Sequence, residues 1–206
     1  DITLLPSVVD TEKISVSTTE RSLQSGAPFT VGWIGSPSTA SFLQQIVEPL
    51  ERLAMECNVR LLVIGGRSPI VTGVEVIEHA WSLDKEVALI HQFDVGVMPL
   101  PDSAWARGKC AYKLIQCMAC GIPVIGSAVG ANINAVPPTC GILASSTDEW
   151  LNALRKFAYN PQMRSSMGKA SREWVESRYS LRSALPKLID VIRRVAEASQ
   201  DRSNLV

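Results

Sequence analysis

The sequence predicts a doubly wound α/β domain, a parallel sheet with helices on both faces. Three observations carry that expectation. Short apolar runs rich in β-branched residues alternate with longer segments of helical spacing, the pattern of successive strand–helix units. Several of the runs end in glycine or proline, which stop a strand and turn the chain. Finally, 206 residues with 46% apolar and 19% charged side chains suffice to bury one sizeable core.

The elements follow in order. "DITLLPSVVD" reads as a short strand with a Pro turn, and residues 11–28, rich in Ser, Thr and Glu, as a connector. Residues 1–28 therefore look like a lead-in from a preceding domain. Domain packing begins at Phe29 with the buried strand "FTVGWIG". Caps between Ser36 and Ser41 then open a helix whose Phe42, Ile46, Pro49, Leu50 and Leu53 recur at near-helical spacing. "VRLLVIGG" and "GVEVIEHAW" are strands, "SLDKEVALIHQF" is a helix opened by a Ser cap, and "DVGVMPLP" is a strand closed by Pro. A helix within "RGKCAYKLIQCMACG" leads to strand "IPVIGS", a "NINAV" turn, strand "GILAS", and helices from about Thr147, Pro161 and Ser180. The Rossmann-like domain thus covers residues 29–180. The last helix, within residues 181–206, carries Leu185, Leu188, Ile192 and Val195 on one face.

Composition excludes several classes. Twenty basic and twenty acidic side chains give no net charge, so no broad basic field exists to hold nucleic acid. The longest apolar runs fall well short of the roughly 20 residues of a membrane span. Cys57, Cys110, Cys117, Cys120 and Cys140 are an odd set scattered through apolar segments, which suits a reducing cytoplasm. The chain opens without a Met or a signal-peptide pattern, so a piece of a longer protein is expected. Neither G-x-G-x-x-G nor G-x-x-x-x-G-K-[ST] occurs, which argues against NAD binding and ATP hydrolysis.

In a doubly wound sheet, ligands sit at the carboxyl ends of the strands, where strand order reverses. The residues to inspect are accordingly Gly35 to Thr39, Gly65 to Arg67, Trp81, Pro99 to Lys109, and Ser127 to Asn132. The densest segment is "RGKCAYKLIQCMACGIPVIGS", residues 107–127. Its Cys117 and Cys120 close a helix, whereas a reactive C-x-x-C places its first Cys at a helix N-terminus. A zinc site lacks further ligands at suitable spacing, so no metal is expected. Lys109, Lys113 and Gln116, at i, i+4 and i+7, are predicted to share one helix face, with Gly108 at the helix start. Free N–H groups, the helix dipole and a lysine at that end make a phosphate site, and Gly108 permits close backbone approach. Trp81 could floor a nucleobase or pack in the core. Trp33 reads as core, and Glu75, Glu78 and Asp94 as solvated charges.

The order of these motifs is the further signal. "FDVGVMPLPDSAWARGKCAYKLIQCMACGIPVIGSAVGANINAV", preceded by "GWIGSPST" and followed by "GILASSTDEWLNAL", resembles the donor-binding C-terminal half of GT-B glycosyltransferases of family 4. The resemblance runs from about Leu4 to Tyr179. It implies a retaining transfer from a nucleoside-diphosphate sugar to an acceptor hydroxyl, without a metal. It also implies a missing N-terminal half that binds the acceptor sugar or lipid-linked glycan and leaves room for peripheral membrane contact.

The resemblance assigns roles and exposes departures. Relatives carry two glutamates eight residues apart, one facing the donor sugar or phosphate and one gripping the ribose. Aligning "QCMACGIPVI" with the family's "EAMACGTPVV" puts these at Gly108 and Gln116, so both acids are gone. Gln116 keeps an amide for the ribose. For the other role, Asp102 or the backbone N–H groups of residues 108–110, Cys110 included, are the candidates. Where relatives place Arg and Lys on the diphosphate, this chain has "GSPSTAS", whose Ser36, Ser38 and Thr39 offer hydroxyls. The positive charge is expected from Lys109, Lys113 and Arg67, in that order. Lys109 is the expected catalytic stabiliser of the departing diphosphate. Alone, the fragment is expected to bind donor without turnover.

Overall fold

The computed structural model describes residues 2–16 and 26–203. Its centre is a six-stranded parallel sheet with β1 (Phe29–Ile34), β2 (Val59–Ile64), β3 (Glu75–His79), β4 (Val95–Met98), β5 (Val124–Ser127) and β6 (Gly141–Ala144) in the order β3-β2-β1-β4-β5-β6. Six of the seven strands expected from the sequence are present. The order reverses between β1 and β4, the position at which such sheets open a crevice.

Alternation along the strands divides the core in two. Val31 and Trp33 of β1, Leu61 and Val63 of β2, and Val95 and Val97 of β4 face one apolar cluster. Ile34, Leu62, Ile64 and Met98 face the other. This is the period-2 pattern of strands buried on both faces. The first cluster is closed by α2 (Val47–Ala54) and α7 (Thr147–Tyr159), which supply Leu50, Leu53, Trp150, Leu154 and Phe157. The second is closed by α3 (Glu86–Ile90), α5 (Tyr112–Ala119), α6 (Asn132–Ala135) and α8 (Pro161–Arg178).

Four departures from the sequence reading have physical causes. The helix expected from Ser36 to Ala54 is broken into α1 (Pro37–Ala40), a 3-10 stretch over Ser41–Ile46, and α2. Pro49 has no N–H to donate, and its ring crowds the carbonyl four residues back, so α-geometry cannot run through Gln45. The strand expected in "DITLLPSVVD" is reduced to one parallel bridge, Val9 with Ser180. Its neighbour is the junction between helices rather than a strand, and Val9 finds only the Tyr179 carbonyl and the Leu181 N–H. Beyond it, Arg172 donates to the carbonyls of Thr11, Ile14 and Ala119 and pins the segment to α8. The remaining connector expectation, residues 17–25, lies outside the described residues. Asp94, expected to be solvated, accepts from the Thr30 N–H at 2.7 Å and pairs with Arg164 at 3.7 Å. Finally, the helix expected to start at Gly108 is two helices, α4 (Ala104–Arg107) and α5, with Gly108 capping the end of α4. Ala111 turns the chain between them at φ 57°, a left-handed backbone.

The C-x-x-C motif is core. Cys117 and Cys120 are buried, and a Cβ built on Gly96 would lie 2.7 Å from Cys117 Sγ, so the thiol packs directly on β4. Burial pushes the Cys117 thiol up to about 12 and the Cys120 thiol up as well. The last helix, α9 (Leu181–Ser203), leaves Leu185, Leu188, Ile192 and Val195 between 42% and 66% exposed. No described helix is long and apolar enough to cross a membrane.

Candidate functional site

The carboxyl ends of β1, β2 and β4 enclose a cavity of about 390 Å³. Gly35, Ser36, Pro37 and Thr39 follow β1, Gly65 follows β2, Trp81 follows β3, and Met98 to Leu100 end β4. Phe42, Lys109 and Lys113 complete the lining, over a floor of Trp33 and Ile34. The cavity therefore opens at the reversal of strand order, and its lining includes two lysines, Lys109 and Lys113, and two hydroxyl-bearing residues, Ser36 and Thr39.

Its shape depends on glycine. Gly65 has φ +79°, and a Cβ there would sit 2.4 Å from the Gly35 carbonyl oxygen and 3.1 Å from Trp81 Cβ. A Cβ on Gly35 would meet the Trp33 ring at 2.3 Å. The two loops touch because neither carries a side chain at the contact. Trp33 is core as expected, and its ring also forms the floor. Beneath the β4 end, the Ser127 hydroxyl accepts from the Leu100 N–H at 2.8 Å, while Asn132 donates to the Ser127 carbonyl at 3.0 Å. Ser127 and Asn132 thus brace the site without lining it.

The lysines are held in different ways. Lys109 precedes α5 and lies in the α4–α5 connection, with Nζ 3.9 Å above the centre of the Trp105 ring. Trp105 makes an edge contact with Phe42 at 5.8 Å, which ties this connection to the 3-10 stretch across the cavity mouth. Stacking of this kind holds the ammonium over the ring face. Lys113 lies within the first turn of α5 and donates to Gln116 Oε1 at 2.9 Å. Burial depresses its pKa below the usual lysine value, opposed by the charge of Glu86. Because Lys109 precedes the helix, Lys109, Lys113 and Gln116 do not form the single helical stripe the spacing predicted.

The other predicted residues stand further back. Ser38 reaches Ser36 Oγ at 2.9 Å, while Thr39 Oγ1 donates to the Ser36 carbonyl at 3.0 Å, so the three hydroxyls form one local cluster. Gln116 is buried behind Lys113. Gly108 is exposed with right-handed φ −78°, and a Cβ there would find nothing nearer than 3.5 Å. Cys110 and Arg67 are exposed and outside the cavity lining. Asp102 also lies outside it, accepting both bonds of a bidentate pair with Arg107 at 2.6 and 2.9 Å. That partner holds its carboxyl below the usual range, and both side chains are mostly exposed. Asp102, just before α4, is thereby engaged with Arg107 at the end of that helix.

Trp81, left between two readings by the sequence, is half exposed, lines the cavity, and donates from Nε1 to Glu86 Oε2 at 2.7 Å. Sequence reasoning missed Glu86. Its signal was positional: Glu86, Leu89 and Ile90 share the buried face of α3 at i, i+3 and i+4. Among the described residues, no group of three or more His, Cys, Asp or Glu could hold a metal ion.

Comparison with known proteins agrees with the fold. A curated relative, the D-inositol 3-phosphate glycosyltransferase of Saccharomonospora viridis, is 31% identical over 87 residues, 41% of this chain and 20% of its own. Sucrose-phosphate synthase from Thermosynechococcus elongatus superposes with TM-score 0.71 at 20% identity, covering 95% of this chain and 53% of that one. HepE from Anabaena, solved with UDP and glucose, superposes at 0.72 with 12% identity, covering 93% and 56%. The C-terminal domain of the LpcC glycosyl transferase of Francisella tularensis superposes at 0.64 with 13% identity, covering 84% of this chain and 99% of that domain. The chain thus spans about half the length of the first two structures and a fifth of the curated relative. The sequence profile of the glycosyl transferases group 1 matches residues 28–160, well over half of the chain, and the chain belongs to that family.

Proposed function

We propose that this chain is the donor-binding half of a retaining glycosyltransferase that moves a sugar from a nucleoside diphosphate to an acceptor hydroxyl. The observation that carries the proposal is the cavity at the β1/β4 reversal, lined by Lys109, Lys113, Ser36 and Thr39. Two ammonium groups and two hydroxyls suit a diphosphate. Trp81, at the β3 side, offers an aromatic surface for the base. Relatives of the same fold were solved with UDP and with UDP-glucose, which supports the choice of ligand class.

In the reaction proposed, the bond from the sugar's anomeric carbon to the diphosphate breaks and its electron pair stays on the diphosphate. The acceptor oxygen bonds that carbon on the same face, and its proton goes to the departing phosphate. Charge therefore grows on the diphosphate as the bond lengthens. Ammonium groups already in place stabilise that charge more than they stabilise the ground state, which is what accelerates the step. Lys109 and Lys113 take this role. Asp102, paired with Arg107 outside the cavity lining, is given no part in it on this reading.

The acceptor enters from a second domain, and the exposed apolar face of α9 suits a seat for that domain. On this reading the isolated chain binds donor without transferring sugar. The free thiols, three of them buried, suit a reducing cytoplasm. A second reading, a nucleotide-binding module without catalysis, draws on Gly108 and Gln116 standing where the family resemblance places acids.

Calorimetric titration of the chain with UDP, GDP and ADP, beside Lys109→Ala and Lys113→Ala, tests the donor site. One diphosphate should bind, and each variant should weaken it about tenfold or more, the worth of a hydrogen bond to a charged group. Absence of binding to all three would overturn the donor site. Donor binding by the full-length protein without sugar transfer would select the module reading.

A further inference from the structure

Behind the cavity wall lies a carboxylate that the family resemblance does not place there. Glu86 opens α3 yet is only 8% exposed. Both its oxygens are engaged: Oε2 accepts from Trp81 Nε1 at 2.7 Å, and Oε1 accepts from Gln116 Nε2 at 3.2 Å. Gln116 in turn accepts from Lys113 Nζ at 2.9 Å. The series Trp81, Glu86, Gln116, Lys113 therefore joins two cavity-lining side chains through two that are buried and do not line the cavity.

Chemistry fixes the orientation of the central amide. An ammonium group only donates, so it must meet the carbonyl of Gln116; an ionised carboxylate only accepts, so it must meet the NH₂. A carboxylate at position 116 would instead face Glu86 across the 3.2 Å now spanned by the hydrogen bond. Two anions at that distance cannot both stay ionised without a large cost. The amide at position 116 is therefore the side chain that suits both the Lys113 ammonium and the Glu86 carboxylate.

We infer that Glu86 is a positioning residue of the donor site: through the Gln116 amide it fixes the Lys113 ammonium, and directly it fixes the Trp81 indole, against a bound nucleoside diphosphate. This rests on the donor-site reading of the cavity. The negative charge of Glu86 also opposes the effect of burial on Lys113 and favours its protonated form.

A reciprocal exchange tests it. In Glu86→Gln, one amide oxygen replaces two acceptors, so the new NH₂ must face the Trp81 indole N–H or the Gln116 NH₂, or Gln116 must turn its NH₂ toward the ammonium. In Gln116→Glu, two carboxylates face each other. In the double variant every donor again meets an acceptor. UDP titration of the 206-residue chain should show about tenfold weaker binding for each single variant, the cost of a buried unsatisfied partner. The double variant should return to within about threefold of the original, because the two sites are directly coupled. Melting temperatures measured alongside separate packing from positioning.

Recovery of melting temperature in the double variant, with UDP affinity unchanged in all three, would show a merely structural network and overturn the inference. Equal and additive losses in the singles and the double would do the same. If a single variant is unfolded, the double decides: folded with near-original affinity supports the inference, and unfolded or non-binding overturns it. If the unsubstituted chain binds no UDP, GDP or ADP, the donor-site reading itself falls, which is a different result from variants that all bind alike.

Discussion

Two glycines of nearly identical backbone conformation separate strain from packing at the site. Gly65 has φ +79° and Gly73 has φ +75°, so alanine at either position incurs the left-handed cost of about 1–2 kcal/mol. Their surroundings differ. A Cβ on Gly73 meets only Ala54 Cβ at 3.7 Å, an ordinary contact, whereas a Cβ on Gly65 lies 2.4 Å from the Gly35 carbonyl oxygen. That neighbour is backbone and can retreat only by displacing the β1–α1 loop, which adds about 1–3 kcal/mol of overpacking. Gly65→Ala should therefore lose about 2–5 kcal/mol and Gly73→Ala about 1–2. With a urea slope of about 2–3 kcal/mol/M, the Gly65 midpoint falls by about 0.7–2.5 M and the Gly73 midpoint by about 0.3–1 M, the Gly65 shift being the larger. Urea unfolding followed by tryptophan fluorescence measures both. Because the Gly35 loop is a cavity wall, Gly65→Ala should also weaken UDP binding, while Gly73→Ala should not. Equal midpoint shifts would refute the claim that the two loops touch through their glycines.

Other outcomes follow from the same structure. Ala111, buried at φ 57°, should accept glycine with a change within about 1 kcal/mol, since relief of strain offsets the gain in unfolded-state freedom, whereas Ala111→Val should lose about 2 kcal/mol or more in urea unfolding. A thiol reagent applied to the folded chain should label the exposed Cys110 first and leave Cys117 and Cys120 unlabelled until unfolding, because burial raises both of their pKa values; rapid paired labelling of Cys117 and Cys120 would restore a redox reading. Burial lowers the Lys113 pKa in the folded chain, so protonation there is disfavoured relative to the unfolded chain. Its contribution to stability accordingly rises with pH between the depressed folded value and the unfolded value near 10.5, while affinity for a diphosphate falls across the same range. Titrations at stepped pH should show the affinity loss shifted to higher pH in Lys113→Arg.

The sheet was legible because its strands other than β3 are short apolar runs with their own stop signals, while the exposed edge strand β3 showed as a β-branched pair between charged residues. The place of the cavity was legible for the same reason, since strand order and the ends of β1 and β4 define it. The local chemistry was less so. Lys109 and Lys113 have the spacing of one helix face, but the left-handed backbone at Ala111 is a single-residue event that spacing does not reveal. Asp94 looked solvated because its partners, Thr30 and Arg164, are distant in sequence. Asp102 carried no sign that Arg107, one turn later, would take both its oxygens. Glu86 could have been found from the apolar residues three and four positions on, but its partners Trp81 and Gln116 are joined only by the fold.

The most direct test of the donor site is a crystal structure of the chain soaked with UDP. The account predicts diphosphate density between the β1–α1 loop and the Lys109 and Lys113 ammonium groups, with the uracil against Trp81. Density elsewhere, for instance against Arg67 or the Asp102–Arg107 pair, would contradict it.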